Sequence, residues 1–230
     1  VDPAAHLAHL RRELAAFAAC LTGDLTAPVT PCAPWSVADL AAHLGEDNLW
    51  VVTAVTEQRG DYEGPPAPRE PGALPAWFGQ TSRALLAVLE QDPERPAWTI
   101  YPPATVGFWR RRRALETLVH RWDAETALGR ASVLDPALAA DGVAEVIDTM
   151  APRQVTLGRS APLGQALRLA STDTGESWVL GPGPPAATVS ASAPDLLLLL
   201  WRRRLPGAPE FRWDGDVAAG RAVLDSGLVP

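Results

Sequence analysis

Apolar positions in this chain recur every three or four residues up to about residue 150 and then switch to alternation, which predicts helices first and strands afterwards. Asp2-Pro3 reads as an N-cap followed by proline at the first helical position. Leu7, Leu10, Leu14, Phe17 and Leu21 then line one face, and Gly23 stops the helix. Residues 24–35 carry three prolines and read as a loop. Ser36, with Asp39 three residues on, forms a variant capping box for a second helix reaching about Arg59. Its stripe is Val37, Leu40, Ala41, Leu44, Val51, Val52 and Val55. Gly60 to Pro75 is rich in glycine and proline and suits a long crossover. A third helix spans Leu74 to Glu90, with Phe78, Leu85, Leu86 and Leu89 inward. Asp92 to Phe108 holds four prolines and is expected to be loop. A fourth helix starts at Arg110 and ends at Gly129. Asp135-Pro136 opens a fifth through about Met150.

From Gln154 the grammar is that of strands. Val155 and Leu157 alternate first, then Ala166, Leu167 and Leu169, then Trp178 to Leu180, then Thr188 and Val189, with turn residues between them. Ala193-Pro194-Asp195 leads into an apolar helix over 196–204. Phe211 to Trp213 reads as a short strand, Asp214-Gly215 as a turn, and Val217 to Leu224 as a last helix. The pattern predicts a mainly α N-terminal bundle of four or five helices over residues 1–150, then a small α+β domain over 151–230.

Composition narrows the partners. The net charge is −7 and the pI about 5.1, with twenty arginines and no lysine. Such a chain is a poor match for nucleic acid or an anionic membrane, so a small-molecule partner is expected. The longest apolar run, Leu196 to Trp201, is far short of the roughly 20 residues a spanning helix needs. Cys20 and Cys32 form neither a CxxC pair nor a disulfide framework. No signal-like segment opens the sequence, and the expected setting is the reducing cytoplasm. Oligomeric state has no signature here.

The chemistry concentrates on the fourth helix. Glu116 and His120 lie four apart and project from one face, where a carboxylate and an imidazole can share a metal ion. Alone, the pair also fits a solvated i,i+4 contact. His43, on the second helix among Leu40, Ala42 and Leu44, alone reads more readily as a satisfied buried histidine, but it can complete a His–Glu–His set. Three protein ligands leave a fourth position open, the catalytic pattern for zinc; nickel, iron(II) and manganese also accept these donors. Asp123 can orient the His120 ring or serve as a surface charge. His6 and His9, near the terminus, read as surface residues, and Cys32 as a small buried thiol with no base near it in sequence. Arg110 to Arg113 and Arg202 to Arg204 can each hold a small anion, because guanidinium binds a carboxylate bidentately. Arg203 is the one expected to grip a substrate. Trp50, Trp77, Trp98 and Trp109 suit either an aromatic-lined pocket or the core.

Three groups of residues carry a family resemblance. Trp35-Ser36-Val37-Ala38-Asp39-Leu40-Ala41-Ala42-His43-Leu44, Glu116-Thr117-Leu118-Val119-His120-Arg121-Trp122-Asp123 and Asp141-Gly142-Val143-Ala144-Glu145 resemble the mycothiol-dependent maleylpyruvate isomerase family. The N-terminal part of that family belongs to the DinB-like superfamily of metal-binding helix bundles. Asp195 to Arg202 and Trp213-Asp214-Gly215-Asp216 are similar to its second, α+β domain. The resemblance covers nearly the whole chain. It implies zinc held by His43, Glu116 and His120, with mycothiol as thiol co-substrate. The family often has Trp-Gly-Arg after its leucine run; here Arg203 matches the arginine and Arg202 stands in place of the glycine.

The implied activity is metal-assisted activation of a low-molecular-weight thiol, for S-transfer to an electrophilic small molecule or its thiol-assisted isomerisation. Two other readings fit the same residues: a thiol-independent metal-dependent lyase, cyclase or hydrolase, and a non-catalytic small-molecule-binding protein.

Overall fold

Capping chemistry sets where the helices begin. In the computed structural model, which describes residues 1–68, 70 and 72–230, Asp2 Oδ1 accepts from the Ala5 N–H at 2.7 Å and opens α1 (Pro3–Cys20). Ser36 and Asp39 cap each other's backbone at the start of α2 (Val37–Thr56), the full reciprocal box. α3 (Leu74–Leu89) carries proline in its first turn. α4 (Val106–Ala127) begins at Thr105, whose hydroxyl accepts from the Phe108 N–H at 3.4 Å. It therefore starts before Arg110, because Val106, Phe108 and Trp109 are core residues that need the helix to place them. The prolines just upstream hide that start in the sequence. Gly129 ends α4 with φ of 67°. Arg130 N–H reaches Glu125 O at 2.8 Å and Gly129 N–H reaches Thr126 O at 3.0 Å, the paired bonds of a Schellman cap.

These four helices form the first compact unit, Val1–Val133. α1 packs on α4 and α3, and α2 packs on α3 and α4. Leu10, Phe17, Leu40, Leu44, Phe78, Leu85, Leu89 and Leu118 are all fully buried in its core. α2 and α3 approach closely at Gly45, where an added Cβ would lie 2.2 Å from the Trp77 ring.

Helix five belongs elsewhere. The chain divides between Val133 and Leu134 rather than near residue 150, and α5 (Pro136–Glu145) packs against α7 (Ala193–Leu200) in the second unit, Leu134–Pro230. After α5 a π-helical stretch, Val146–Met150, runs straight into α6 (Ala151–Thr156). Val155 is thus helical and Leu157 follows the helix, so neither is in a strand. Val143, Val146, Met150 and Gln154 are buried at helical spacing, and that stripe outweighs an alternation only three residues long.

The remaining strands appear where alternation is sustained. β1 (Ala166–Ser171), β2 (Ser177–Leu180), β3 (Pro185–Ala191) and β4 (Arg212–Gly215) form one sheet in the order β2-β1-β3-β4. β1 pairs antiparallel with β2 and parallel with β3, and β4 closes the edge antiparallel to β3. Asp214 and Gly215, expected as a turn, pair in β4 with Thr188 and Ala187. Leu167, Leu169, Ala187, Val189 and Ala191 face the buried side. α8 (Val217–Leu224) packs on β3 and β1, with Gly220 against the Trp213 ring.

α7 buries Leu196 through Leu200 and stops at Trp201 rather than near residue 204. Arg202 takes φ of 60°, Arg203 N–H reaches Leu198 O at 2.7 Å, and Arg202 N–H reaches Leu199 O at 3.0 Å. This is a second Schellman cap, with arginine at the left-handed position that favours glycine. Among the described residues, no helix is long and apolar enough to cross a membrane.

Candidate metal centre

α2 and α4 face each other with His43 on one and Glu116 and His120 on the other. One ligand atom from each of the three lies within 4.8 Å of the other two. His43 Nε2 is 3.6 Å from Glu116 Oε1, and the His43 and His120 rings meet edge to face at 5.3 Å. Ligand atoms on a tetrahedral zinc, at metal distances of about 2.0–2.2 Å, stand roughly 3.2–3.6 Å apart. The 3.6 Å between His43 Nε2 and Glu116 Oε1 matches that spacing, and the three side chains could hold such an ion.

The surroundings hold each donor in place. Glu116 Oε2 takes Arg113 Nη1 at 2.5 Å and faces Arg112 Nη2 at 3.7 Å, which leaves Oε1 turned toward His43. Burial by itself would raise the Glu116 carboxyl; Arg113, Arg112 and His43 outweigh it and hold it well below the usual carboxylate range. His120 Nδ1 lies 3.0 Å from Asp123 Oδ2, so the ring's Nε2 remains for a metal. Burial pushes the His120 imidazole down, against the pull of Asp123, and favours the neutral ligand form. Burial also pulls His43 down, but the Glu116 and Asp47 carboxylates prevail and raise it. The Trp35 ring lies tilted against the His43 ring, with centroids 5.0 Å apart.

One contributor, Asp47, escaped the sequence reading, and Arg113, expected as an anion holder, has an internal role instead. Asp47 sits one turn after His43, with Oδ2 3.6 Å from His43 Nε2 and 3.3 Å from Arg113 Nη1. Burial, together with the neighbouring Glu116 charge, raises its carboxyl to about 6. The i,i+4 spacing from His43 was its only signal. Arg113, 1% exposed, gives its Nη2 to Asn48 Oδ1 at 2.9 Å and to Leu44 O at 3.2 Å, so one buried guanidinium ties Asp47, Asn48 and Glu116 together. Arg110 has a different task. It donates to Leu89 O at 2.8 Å, Gln91 O at 2.7 Å and Pro3 O at 3.2 Å, capping the end of α3. The arginine run is thus largely internal rather than a solvated helix start.

Other expectations resolve separately. His6 and His9 are 4% and 9% exposed, not surface residues, and His9 Nδ1 is 2.8 Å from Arg12 Nη2. Neither belongs to a three-ligand cluster among the described residues. Cys32 ends a 3₁₀ turn, Thr30–Cys32, and its Sγ lies 3.6 Å from Asp123 Oδ2. The fold thus supplies the acid and imidazole that Cys32 lacks in sequence. Arg203 lies just past α7 in the second unit; its Nη1 donates to Trp201 O at 2.8 Å and its guanidinium carbon is 5.9 Å from the Trp201 ring. Trp50, Trp98 and Trp109 pack on one another at 5.4–6.4 Å. Trp50 Nε1 donates to Gly60 O and Trp109 Nε1 to Trp98 O, so these indoles fasten loops to the bundle.

Comparison with known proteins agrees with this architecture. The mycothiol maleylpyruvate isomerase N-terminal domain matches residues 7–125, and the C-terminal domain of the same family matches residues 137–222. Uncharacterised proteins from two Mycobacterium tuberculosis strains (CDC 1551 / Oshkosh and ATCC 25618 / H37Rv) are each 30% identical, over 88% of this chain and 87% of theirs. The crystal structure of the mycothiol-dependent maleylpyruvate isomerase superposes with a TM-score of 0.68 at 17% identity, covering 94% of this chain and 95% of that one. A histidine-to-alanine mutant of that enzyme gives 0.65 at 15% identity, over 86% and 88%. With both domain models matched in order along the sequence, the chain belongs to the mycothiol maleylpyruvate isomerase family.

Proposed function

We propose that this chain is a zinc-dependent enzyme that activates a low-molecular-weight thiol, mycothiol in the first instance, for isomerisation of an electrophilic small molecule or S-transfer to it. The observation that carries this is the convergence of His43, Glu116 and His120 in a member of this family. A bound divalent metal would supply the Lewis acidity that turns a thiol of ordinary pKa, about 8.5, into a thiolate at neutral pH.

The chain's own residues do the rest. His43, Glu116 and His120 would hold the ion and leave one position open to a ligand. Arg113 fixes the Glu116 carboxylate through Oε2, and Asp123 fixes the His120 ring through Nδ1. Asp47, whose Oδ2 is 3.6 Å from His43 Nε2, is proposed to receive the thiol proton. In isomerisation the thiolate adds to an activated double bond, the resulting single bond rotates, and the thiolate departs unchanged. In transfer the sulfur would stay on the product, and the carbanion formed by the addition would take up the proton that Asp47 received. Arg203 is proposed to grip a substrate carboxylate, the role its guanidinium suits.

The test combines metal content with thiol dependence. Purified protein should carry stoichiometric zinc, and turnover of maleylpyruvate, the first electrophile to offer, should require added mycothiol. His43→Ala should lose turnover together with the metal bound at this site. Metal-dependent turnover without any thiol would move the assignment to the lyase or hydrolase reading; protein without metal, or a His43→Ala variant of full activity, would leave neither standing.

A further inference from the structure

Behind the first ligand set lies a second one that shares only the His120 ring. The Cys32 thiol, the Asp123 carboxylate and a His120 nitrogen lie within 4.8 Å of one another. Asp123 Oδ2 is their centre, 3.0 Å from His120 Nδ1 and 3.6 Å from Cys32 Sγ. On a tetrahedral zinc, with Zn–N and Zn–O of about 2.0 Å and Zn–S of about 2.3 Å, an oxygen–nitrogen pair sits roughly 3.3 Å apart and an oxygen–sulfur pair roughly 3.5 Å. The observed spacing is close to both. Asp123 and His120 are nearly fully buried, whereas Cys32 is partly exposed, which gives an ion a way in.

The carrier of the thiol is well anchored. Cys32 N–H donates to Val29 O at 2.9 Å and Trp35 N–H donates to Cys32 O at 3.1 Å. A bridge between Pro28 and Ser36 then closes this loop onto the start of α2. Cys32 is held beside Asp123 by backbone, so its position does not depend on one side-chain contact.

We propose that Cys32, Asp123 and the Nδ1 edge of His120 form a second metal site, for a borderline divalent cation such as Zn²⁺ or Co²⁺. The thiolate and imidazole donors select such ions over Mg²⁺ or Ca²⁺, which take oxygen. Loading would release the Cys32 thiol proton to solvent. The site rests on the proposed first centre only in sharing the His120 ring, which would release a second proton if both of its nitrogens were engaged.

Cobalt(II) tests this directly, because cobalt–thiolate bonds give a near-ultraviolet charge-transfer band that cobalt–imidazole and cobalt–carboxylate bonds lack. The whole protein is stripped of metal, reduced with a phosphine so that no other thiol is present, and titrated with Co²⁺. The expected result is two equivalents bound with a thiolate band. Cys32→Ser and Cys32→Ala should each lose the band and one equivalent, while His43→Ala keeps the band and loses the other equivalent. A single equivalent in the wild type, with a band abolished by Cys32→Ser and untouched by His43→Ala, supports this site and counts against the first. A wild-type protein with no thiolate band, or a band that survives in both Cys32 variants, overturns the proposal and leaves Asp123 only orienting His120.

Discussion

Asp47 and Arg202 each carry a local energetic cost. The Asp47 carboxyl is raised from 3.8 to about 6, chiefly by burial and then by the Glu116 charge. A carboxyl raised on folding disfavours the folded state when ionised, so its cost is absent below the unfolded value and grows as pH rises through about 4 to 6. Metal-stripped Asp47→Asn should therefore be more stable than wild type at pH 8, by roughly 1–3 kcal/mol, and no more stable at pH 4. Urea denaturation at both pH values checks the sign. Arg202 sits at φ of 60° in a cap position where side chains cost energy. Arg202→Gly should raise stability by about 1 kcal/mol, measured the same way, because glycine takes that conformation without a Cβ clash. The resemblance flagged this position before any geometry was known: the family's glycine is what the left-handed φ asks for.

At the scale of elements, what was readable in the sequence depended on local chemistry. Asp2-Pro3, Ser36 with Asp39, and Asp135-Pro136 announce helix starts because their caps are made within a few residues. The shared face of Glu116 and His120 was legible because helical spacing alone sets it, whereas His43 reaches them only through the packing of α2 on α4. Asp123 was legible as a partner for His120 for the same reason. Cys32 was not, since its neighbour Asp123 is 91 residues away in sequence and only the packed loop brings them together. Nor was the α6 helix, where three alternating residues imitate a strand until the stripe from Val143 to Gln154 is seen whole. Packing between α2 and α3 makes its own prediction. Gly45→Ala adds a methyl 2.2 Å from the Trp77 ring, so it should destabilise by about 1–3 kcal/mol despite alanine's better helix propensity. Thermal unfolding followed by circular dichroism reads this out; an unchanged or raised midpoint would mean that Trp77 can swing aside.

For the whole molecule, the division after Val133 assigns the His–Glu–His cluster entirely to the N-terminal unit and Arg203 to the C-terminal one. A ligand that binds only the folded state stabilises it by mass action, and zinc at a thousandfold excess over its dissociation constant would contribute about 4 kcal/mol. Stripping metal with a chelator should thus lower the melting temperature, and restoring zinc should return it. His43→Ala should melt at the same temperature with and without chelator if the first centre dominates.

Trp50, Trp98 and Trp109 have a practical consequence for such measurements. Three indoles with centroids 5.4–6.4 Å apart are close enough for their electronic transitions to couple, in a fixed relative orientation. That coupling gives a dichroic couplet on the strong far-ultraviolet indole band that vanishes when tertiary packing loosens, even if the helices persist. All three belong to the N-terminal unit, so the protein carries a native optical gauge of the bundle's integrity, separate from the sheet-bearing half.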